Sequence, residues 1–436
     1  MTSSRAGEKK LGQTLQVLQG NAGNSLSEFR ATLSNSNCRF CILGIPEDIG
    51  PRANLGRGGA NEAWGCFLPY FVNMQHSKSF PGETALILGH VDCADLIVEQ
   101  PADPDGDTSA LPKGAEHAEQ ELSQLRELVS TLDERVEAVV REVFEAGLEL
   151  IVVGGGHNNC LPIIRAANKS SESLRHRTVA DGAGSLAAAD ARVQKSSRIV
   201  VCNLDPHADM RDTGEGRHSG NGFSTALEEG HLGQYYLCGY HRRYNSEAVL
   251  ERLDEYAKVG RCRASCFEEW LDDGSCGAGL RRAVGDAVDF LGLASHDGSD
   301  DAPLLGIELD LDAISNMPTS ACSPSGVSVE QARYFVRRLA SSGPGVAAIK
   351  ATAAPGAATA TTAAFAQRKE STGFSSGGGR VAYLHLAEGA PELSSGGGSD
   401  GGRMVGKTLA YLASDYIESR LKNSSTGPSL PRAYTL

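Results

Sequence analysis

Three potential metal ligands follow an apolar stretch of the sequence at alternate positions. The run from Ile199 to Val201 is β-branched, which is typical of a buried strand, and Asp205, His207 and Asp209 come shortly after it. Residues i, i+2 and i+4 of an extended chain point to one side, so these side chains would converge where the strand ends. Open α/β sheets place their ligands at this edge. The pattern predicts a metal site, although a single D-x-H-x-D can also be an ordinary polar loop.

Two further stretches repeat this arrangement. Asp310 and Asp312 stand at i and i+2 after a strand-like run from Leu304, and His157 follows an apolar run and the glycines at 154–156. Three strand-like runs that each end in ligand-type side chains are much harder to explain as loops than one run is. The sequence therefore favours one shared site at the ends of several strands.

The residue types indicate which ion would bind. Carboxylates mixed with imidazoles, without a thiolate, favour a hard or borderline ion such as manganese, while zinc, cobalt, nickel and iron stay open. The chain has 11 cysteines, an odd number scattered along its length, which is unlike a secreted disulfide framework. Cys38 and Cys41 form a C-x-x-C without a second pair at zinc-finger spacing, so we expect them to be core residues.

Composition excludes several classes of protein. A formal net charge of -13 argues against a nucleic-acid surface, which needs Lys and Arg to neutralise phosphates. No apolar window approaches the length of a membrane span, and the N-terminal residues lack the apolar core of a signal peptide. We therefore expect a cytoplasmic protein without nucleic-acid or membrane partners.

The remaining pattern alternates strands with helices, which is typical of a parallel sheet. Strands are expected at 40–44 and 85–92, followed by a long amphipathic helix over 115–146. A last strand ends at Glu388, and a closing helix covers 407–421.

We expect one domain with additions. Residues 1–35 are an N-terminal extension with a helical periodicity over 11–33, which Gly20 and Gly23 weaken, and residues 36–436 are a single catalytic domain. Insertions of low complexity are expected near 99–114, 168–197, 345–380 and 394–403, where the composition buries too little apolar surface to offset the entropy of ordering.

Four motifs occur in the order that is found in the ureohydrolase family of arginases, agmatinases and formimidoylglutamases. They are GGGH at 154–157, D-x-H-x-D at 205–209, D-x-D at 310–312 and AE at 387–388. The chain resembles this family, and the resemblance implies an arginase-like three-layer α/β/α sandwich with a mainly parallel sheet. It also implies two Mn²⁺ ions per subunit. One ion would be held by His157, Asp205, Asp209 and Asp310, and the other by Asp205, His207, Asp310 and Asp312.

The resemblance also assigns roles in catalysis. The ion pair would acidify a water molecule that attacks the trigonal carbon of an amidine or guanidine. Asp209 would pass the proton of this nucleophile to the departing amine. Glu388 would pair with the cationic nitrogen end of the substrate, although it could also be an ordinary surface carboxylate.

Substrate residues follow the D-x-H-x-D motif. Arg211 completes an H-x-D-x-R that is a feature of formimidoylglutamase-like members and could bind a substrate carboxylate with both prongs of its guanidinium, or could be a surface residue. Ser219 and Asn221 stand in an S-G-N similar to the one with which arginases recognise an amino-acid head group. Phe223 occupies the place of an arginase histidine, which fits formimidoylglutamase and agmatinase patterns better.

These observations predict a hydrolase of the C–N bond of a linear amidine, with N-formimino-L-glutamate converted to glutamate and formamide, a step of histidine metabolism. The alternatives are a guanidino hydrolase that releases urea, or a noncatalytic family member, which would be expected to have lost ligands. A deacylase of the related deacetylase fold ranks lower, because no adjacent His pair is present. Asn158, Asn159 and Pro206 depart from the family pattern and indicate a divergent branch. The family implies a homo-oligomer, either a trimer or a hexamer.

Overall fold

A parallel sheet forms the centre of the protein, which we describe from a computed structural model. The structure describes residues 5–18, 26–96, 115–181, 197–272, 274–294, 302–342, 380–394 and 398–425. The strands are β1 (Gln16–Val17), β2 (Phe40–Gly44), β3 (Ala85–His90), β4 (Glu149–Val153), β5 (Ile199–Leu204), β6 (Gln234–Tyr240), β7 (Cys262–Cys266), β8 (Leu304–Asp310) and β9 (Arg380–Ala387). They lie in the order β1-β3-β2-β4-β9-β8-β5-β6-β7, and every pair in the described part of the chain is parallel.

Helices cover both faces of the sheet. They are α1 (Leu26–Asn35), α2 (Ile49–Ala53), α3 (Ala63–Val72), α4 (Ala115–Glu145), α5 (Cys160–Asp181), α6 (Gly222–Glu228), α7 (Glu247–Lys258), α8 (Phe267–Asp272), α9 (Cys276–Phe290), α10 (Val329–Ala340) and α11 (Gly398–Ser425). Helices α3, α9, α10 and α11 pack in one apolar core, and α4, α5, α6 and α7 pack in the other.

Alternate residues of each central strand enter opposite cores. In β5, Val200 and Cys202 belong to the core with α11, while Ile199 and Val201 belong to the core with α4. A strand buried on both faces needs apolar residues at every position, and this explains why the strands read as continuous apolar runs. The expected three-layer α/β/α sandwich with a parallel sheet is confirmed.

Two expected element boundaries are wrong at the N-terminus and in the third strand. Instead of one helix over 11–33, residues 11–13 form a short 3-10 helix, β1 adds to the edge of the sheet beside β3, and α1 begins at Leu26, while residues 19–25 lie outside the described part of the chain. Leu11 and Leu33 are buried, so this segment packs on the domain. The free edge of β3 offers backbone hydrogen bonds that an isolated helical pattern cannot reveal. Strand β3 ends at His90 instead of at residue 92.

Two of the expected insertions are shorter than predicted. Residues 168–181 continue helix α5, where Asn168, Ser170 and Ser171 are buried, because polar side chains can pack where a helix is already anchored by its first turns. Residues 398–403 begin α11 ahead of the expected start at 407, with Gly401 packed closely on the backbone of Pro391. The expected insertion at 99–114, residues 345–379 of the one expected at 345–380, and residues 182–196 of the one expected at 168–197 lie outside the described residues.

No helix in the described ranges combines the length and the apolar character that a membrane span requires.

Candidate metal centre

Four neighbouring strands bring the predicted ligands together. Strands β4, β9, β8 and β5 lie side by side in the middle of the sheet. His157 follows β4, Glu388 follows β9, Asp310 ends β8, and Asp205 follows β5. Because the strands are parallel, their carboxyl ends meet at the same edge, and residues far apart in the chain become neighbours.

One cluster has His157 at its centre. Its Nδ1 atom lies 3.1 Å from Oδ2 of Asp205, 3.1 Å from Oδ2 of Asp209 and 3.3 Å from Oδ2 of Asp310. One ligand atom from each of these residues lies within 4.8 Å of all the others, a spacing that could hold a metal ion. The structure thus places together the four residues assigned to the first ion.

The second group lies beside the first. Nδ1 of His207 is 3.5 Å from Oδ1 of Asp205 and 3.6 Å from Oδ2 of Asp312. Asp312 is buried, whereas the His207 side chain keeps 28% of its surface exposed and borders the cavity described below. Asp205 therefore has one carboxylate oxygen toward each group, which is the geometry that a shared ligand needs.

The same local turn sets both aspartate motifs. Oδ1 of Asp205 accepts a hydrogen bond from the N–H of His207, and Oδ1 of Asp310 accepts one from the N–H of Asp312, each at 2.7 Å. Such a side-chain-to-backbone bond over two residues is an Asx turn. It fixes the next ligand of each motif and directs Oδ2 of each aspartate toward His157.

Two site residues adopt a strained backbone. Asp209 has φ = 50° and Glu388 has φ = 66°, in the left-handed region that residues with a side chain rarely adopt. Glu388 is held there by the bond from its N–H to the Gly155 carbonyl, while its Oε1 accepts the N–H of His157 at 2.8 Å. Left-handed non-glycine residues persist only where the surrounding structure imposes them, which is common at functional sites.

Electrostatics favour a bound cation. Burial lowers the pKa of His157, but Asp205, Asp209 and Asp310 outweigh it, and the net pKa is well above the usual value. Burial, then Asp312 and Asp205, raise the pKa of Asp310 well above its usual range. Nδ1 of His157 and Oδ1 of Asp312 are buried and have no hydrogen-bond partner among the described residues. The oxygen-rich donor set and these unpaired atoms fit a divalent, oxygen-preferring cation.

A cavity of about 240 Å³ opens onto the ligands. The Arg211 side chain borders it and has no hydrogen bond or ion pair within the described part of the chain. Residues that line the cavity include His207, Asp209, Asp310, Asp312, Glu388, Arg211, Ser219 and Tyr244. The predicted catalytic and substrate residues other than Asn221 thus share one cavity.

Asn221 does not line this cavity. It is buried, its Nδ2 donates to the carbonyls of Asp212 and Gly216, and its Oδ1 accepts from the side chain of Arg217 at 2.5 Å. Its neighbour His218 is also buried and accepts the N–H of Gly220 at Nδ1. Burial and three arginines, Arg126, Arg217 and Arg211, lower the pKa of His218 to about 3. These residues shape the loop that carries Ser219.

A buried polar group behind His157 was missed by the sequence analysis. Glu308 and His385 are fully buried on β8 and β9, and Oε2 of Glu308 lies 2.6 Å from Nδ1 of His385 and 3.4 Å from Nε2 of His157. The Tyr383 hydroxyl donates to Oε1 of Glu308 at 2.8 Å. Burial raises the pKa of Glu308, but His385 and His157 outweigh it and lower the pKa to about 2. The available signal was a charged residue inside an apolar strand, two positions before Asp310.

Asn245 was missed for a different reason. Its Oδ1 accepts the N–H of Ala208 at 2.8 Å, and its Nδ2 donates to the carbonyls of Pro206 and His241 at 2.9 Å. Asn245 lies in the loop that follows β6, and its hydrogen bonds hold the loop after β5, which carries the candidate ligands His207 and Asp209, in place. Nothing in the sequence near Asn245 marks this contact.

The family and structural comparisons agree with this geometry. The model of the Arginase family matches residues 40–367. Formimidoylglutamase of Geobacillus thermodenitrificans is 24% identical over 302 residues, which are 69% of this chain and 72% of the relative. The enzyme of the same name from Geobacillus kaustophilus is 25% identical over 301 residues, with the same coverage.

Solved structures share the fold. Formimidoylglutamase of Bacillus subtilis superposes with a TM-score of 0.57 at 13% identity, over 97% of this chain and 94% of that chain. Trypanosoma cruzi formiminoglutamase with Mn²⁺ gives 0.55 at 15% identity, over 95% and 99%. Proclavaminate amidino hydrolase of Streptomyces clavuligerus gives 0.52 at 10% identity, over 89% and 94%.

Proposed function

This chain belongs to the arginase family, and we propose that, as a hydrolase of C–N bonds in linear amidines, it converts N-formimino-L-glutamate and water to L-glutamate and formamide. The recognition of the family from the GGGH, D-x-H-x-D, D-x-D and AE motifs is confirmed. The observation that carries the proposal is one cavity that is lined by four of the six candidate ligands, His207, Asp209, Asp310 and Asp312, and also by Arg211 and Ser219.

The residues present would hold two manganese ions. His157, Asp205, Asp209 and Asp310 would bind one, and Asp205, His207, Asp310 and Asp312 the other. When bound, the ions make a water molecule acidic enough to act as the nucleophile near neutral pH. The crystal structure of Trypanosoma cruzi formiminoglutamase, whose fold this chain shares, was solved with Mn²⁺.

Asp209 is proposed to move the proton. Its carboxylate borders the cavity beside the ligand cluster and lies in a backbone conformation that holds it there. It would accept a proton from the attacking water and deliver it to the amine of glutamate as the C–N bond breaks. The formimino carbon keeps the new oxygen and its remaining nitrogen, and leaves as formamide.

Glu388 and Arg211 would hold the two ends of the substrate. Glu388 uses Oε1 for the N–H of His157, and its Oε2 accepts no hydrogen bond from the described residues, so it can receive an N–H of the cationic amidinium. The Arg211 guanidinium can bind a carboxylate of the glutamate moiety in a two-pronged manner. The Ser219 hydroxyl, which borders the same cavity, can donate to that carboxylate. We assign Asn221 the role of shaping this loop.

The test is a product assay on manganese-loaded protein that is offered formiminoglutamate, arginine, agmatine and guanidinobutyrate separately. Formamide with an equal amount of glutamate is expected from the first substrate, and no urea from the others. A His207→Ala variant is the inactive control. Urea from any guanidino substrate would instead support the second candidate function, a guanidino hydrolase. The observation that favours this second candidate is the fold shared with proclavaminate amidino hydrolase. Binding of two ions without any product would indicate a substrate other than these four, whereas the absence of both bound metal and product would favour a noncatalytic member.

We also propose a cytoplasmic homo-oligomer, a trimer or a hexamer, because the family resemblance implies it. Light scattering on the purified protein would test the number of subunits.

A further inference from the structure

We propose that Glu308 and His385 are positioning residues, which hold the imidazole of His157 so that its Nδ1 atom faces the carboxylates of the metal centre. The inference deepens the proposed function and rests on it, because it requires His157 to be a metal ligand. It adds a second row of side chains behind the ligands, on strands β8 and β9.

The register of the sheet places the two residues side by side. Glu308 pairs with His385 across β8 and β9, and both side chains are fully buried. Oε2 of Glu308 lies 2.6 Å from Nδ1 of His385, while Oε1 accepts the Tyr383 hydroxyl at 2.8 Å. Both oxygens of the carboxylate are thus held by neighbouring groups of β9. Its position toward His157 is therefore set by the sheet.

The two nitrogens of His157 face opposite groups. Nδ1 faces Asp205, Asp209 and Asp310, and Nε2 faces Oε2 of Glu308 at 3.4 Å. This last distance is longer than an ordinary N–H···O hydrogen bond, and it is an electrostatic contact. A carboxylate on this side favours the tautomer with its proton on Nε2, which leaves the lone pair of Nδ1 for an ion.

A structural role alone explains this cluster poorly. Well-packed apolar side chains can often replace a buried ion pair without loss of stability. The positions around Glu308 on β8 are apolar and buried, for example Ile307 and Leu309, so the sheet itself does not require a charge there. Besides its two partners on β9, Tyr383 and His385, this carboxylate faces the imidazole of His157. Partners of this kind behind metal-bound histidines affect affinity strongly.

The test measures Mn²⁺ binding and needs no substrate. Free Mn²⁺ is followed by electron paramagnetic resonance during titration of the metal-free protein, which yields the number of ions per chain and their affinities. In Glu308→Gln, a substitution that keeps the shape and removes the charge, we expect the affinity for one of the two ions to fall about 10- to 100-fold. The ion held by His207 and Asp312 should be retained. Glu142→Gln is the matched control, since Glu142 is a buried carboxylate on α4 that pairs with Arg30 and is not one of the candidate ligands.

A second variant guards against misfolding. Tyr383→Phe removes only the hydroxyl that holds Oε1 of Glu308, and we expect the same ion to bind a few-fold more weakly. The unfolding temperature of each metal-free variant is measured beside the titration. Weaker binding of one ion, with an unfolding temperature near that of the parent protein, supports positioning. Equal loss of both ions together with a lower unfolding temperature means a structural role and overturns the proposal.

Other results overturn it separately from the proposed function. Two ions bound by the parent protein and unchanged affinities in both variants would overturn the positioning role alone. Three ions per chain would show that His157, Glu308 and His385, whose ligand atoms lie within 4.8 Å of one another, form a metal site of their own. A parent protein that binds no Mn²⁺ would overturn the metal-dependent function and this inference with it.

Discussion

Replacing Asp310 by asparagine should have opposite effects on stability with and without manganese. The change keeps the size of the side chain, and the asparagine oxygen can still accept the N–H of Asp312 that Oδ1 accepts at 2.7 Å. It removes the negative charge that Oδ2 presents 3.3 Å from Nδ1 of His157. The fold around the site is therefore left intact, and the change acts on charge alone.

The magnitude follows from the spacing of the carboxylates. Ligand atoms of Asp205, Asp209 and Asp310 lie within 4.8 Å of one another. Two like charges at that distance repel by about 3.5 kcal/mol at an effective dielectric constant of about 20. Two effects offset part of this repulsion. The raised pKa of Asp310 favours its neutral form, and its carboxylate contacts His157. We therefore expect the metal-free variant to be about 1 to 2 kcal/mol more stable than the parent protein.

Manganese should reverse this order. At a free Mn²⁺ concentration of about 100 times the dissociation constant, each occupied site adds about 2.7 kcal/mol to the free energy of unfolding. The parent protein should gain this stabilisation from both ions. The variant lacks a ligand that is proposed to bind both ions, and Mn²⁺ should therefore stabilise it less. Thermal unfolding with a chelator and with excess Mn²⁺ measures the two differences, which should amount to a few degrees. Asp254→Asn, an exposed carboxylate on α7, is the control and should change neither.

One result would contradict the proposed role of Asp310. If the metal-free Asp310→Asn protein is less stable than the parent and still gains as much from Mn²⁺, Asp310 is a structural residue and the carboxylates do not form an ion site.

Three further predictions concern other residues of the site. Asp205→Ala should remove both Mn²⁺ ions, while Asp312→Ala should remove only one, as counted by elemental analysis; two ions retained without Asp205 would exclude it as the bridge. Arg211→Lys should raise KM for formiminoglutamate more than it lowers kcat, because the planar fork is lost while the charge stays, and an unchanged KM would leave Arg211 without a substrate role. The pKa of His218 is lowered from 6.5 to about 3 in the folded protein. Below pH 6.5 the imidazole therefore becomes protonated in the unfolded chain, whereas in the folded protein it stays neutral until about pH 3. Its contribution to stability is thus present above pH 6.5 and falls with decreasing pH, by at most about 1.4 kcal/mol per unit; denaturation of His218→Gln between pH 6.5 and 5 should show a shallower decrease than the parent, and an identical decrease would contradict the buried neutral state of His218.

The predictable part of this protein rests on local patterns. An apolar run followed by polar residues at every second position predicts both the strand and the side on which Asp205, His207 and Asp209 lie. This works because the alternation of side chains belongs to the extended chain itself and needs no partner. The same holds for the long helix α4, whose buried residues Val129 and Val136 follow the helical spacing.

Tertiary structure alone decided which strands are neighbours. Strand β9 lies between β4 and β8, and so the N–H of His157 meets the carboxylate of Glu388, 231 residues later. The order of strands depends on how helices pack across both faces, which no local period records. For the same reason the contact between Glu308 and His157, and the turn of Asn221 away from the cavity, were not predictable. Local patterns in the chain therefore indicate the candidate ligands and the family, while the order of the strands in the sheet sets which residues lie behind His157 and which line the cavity.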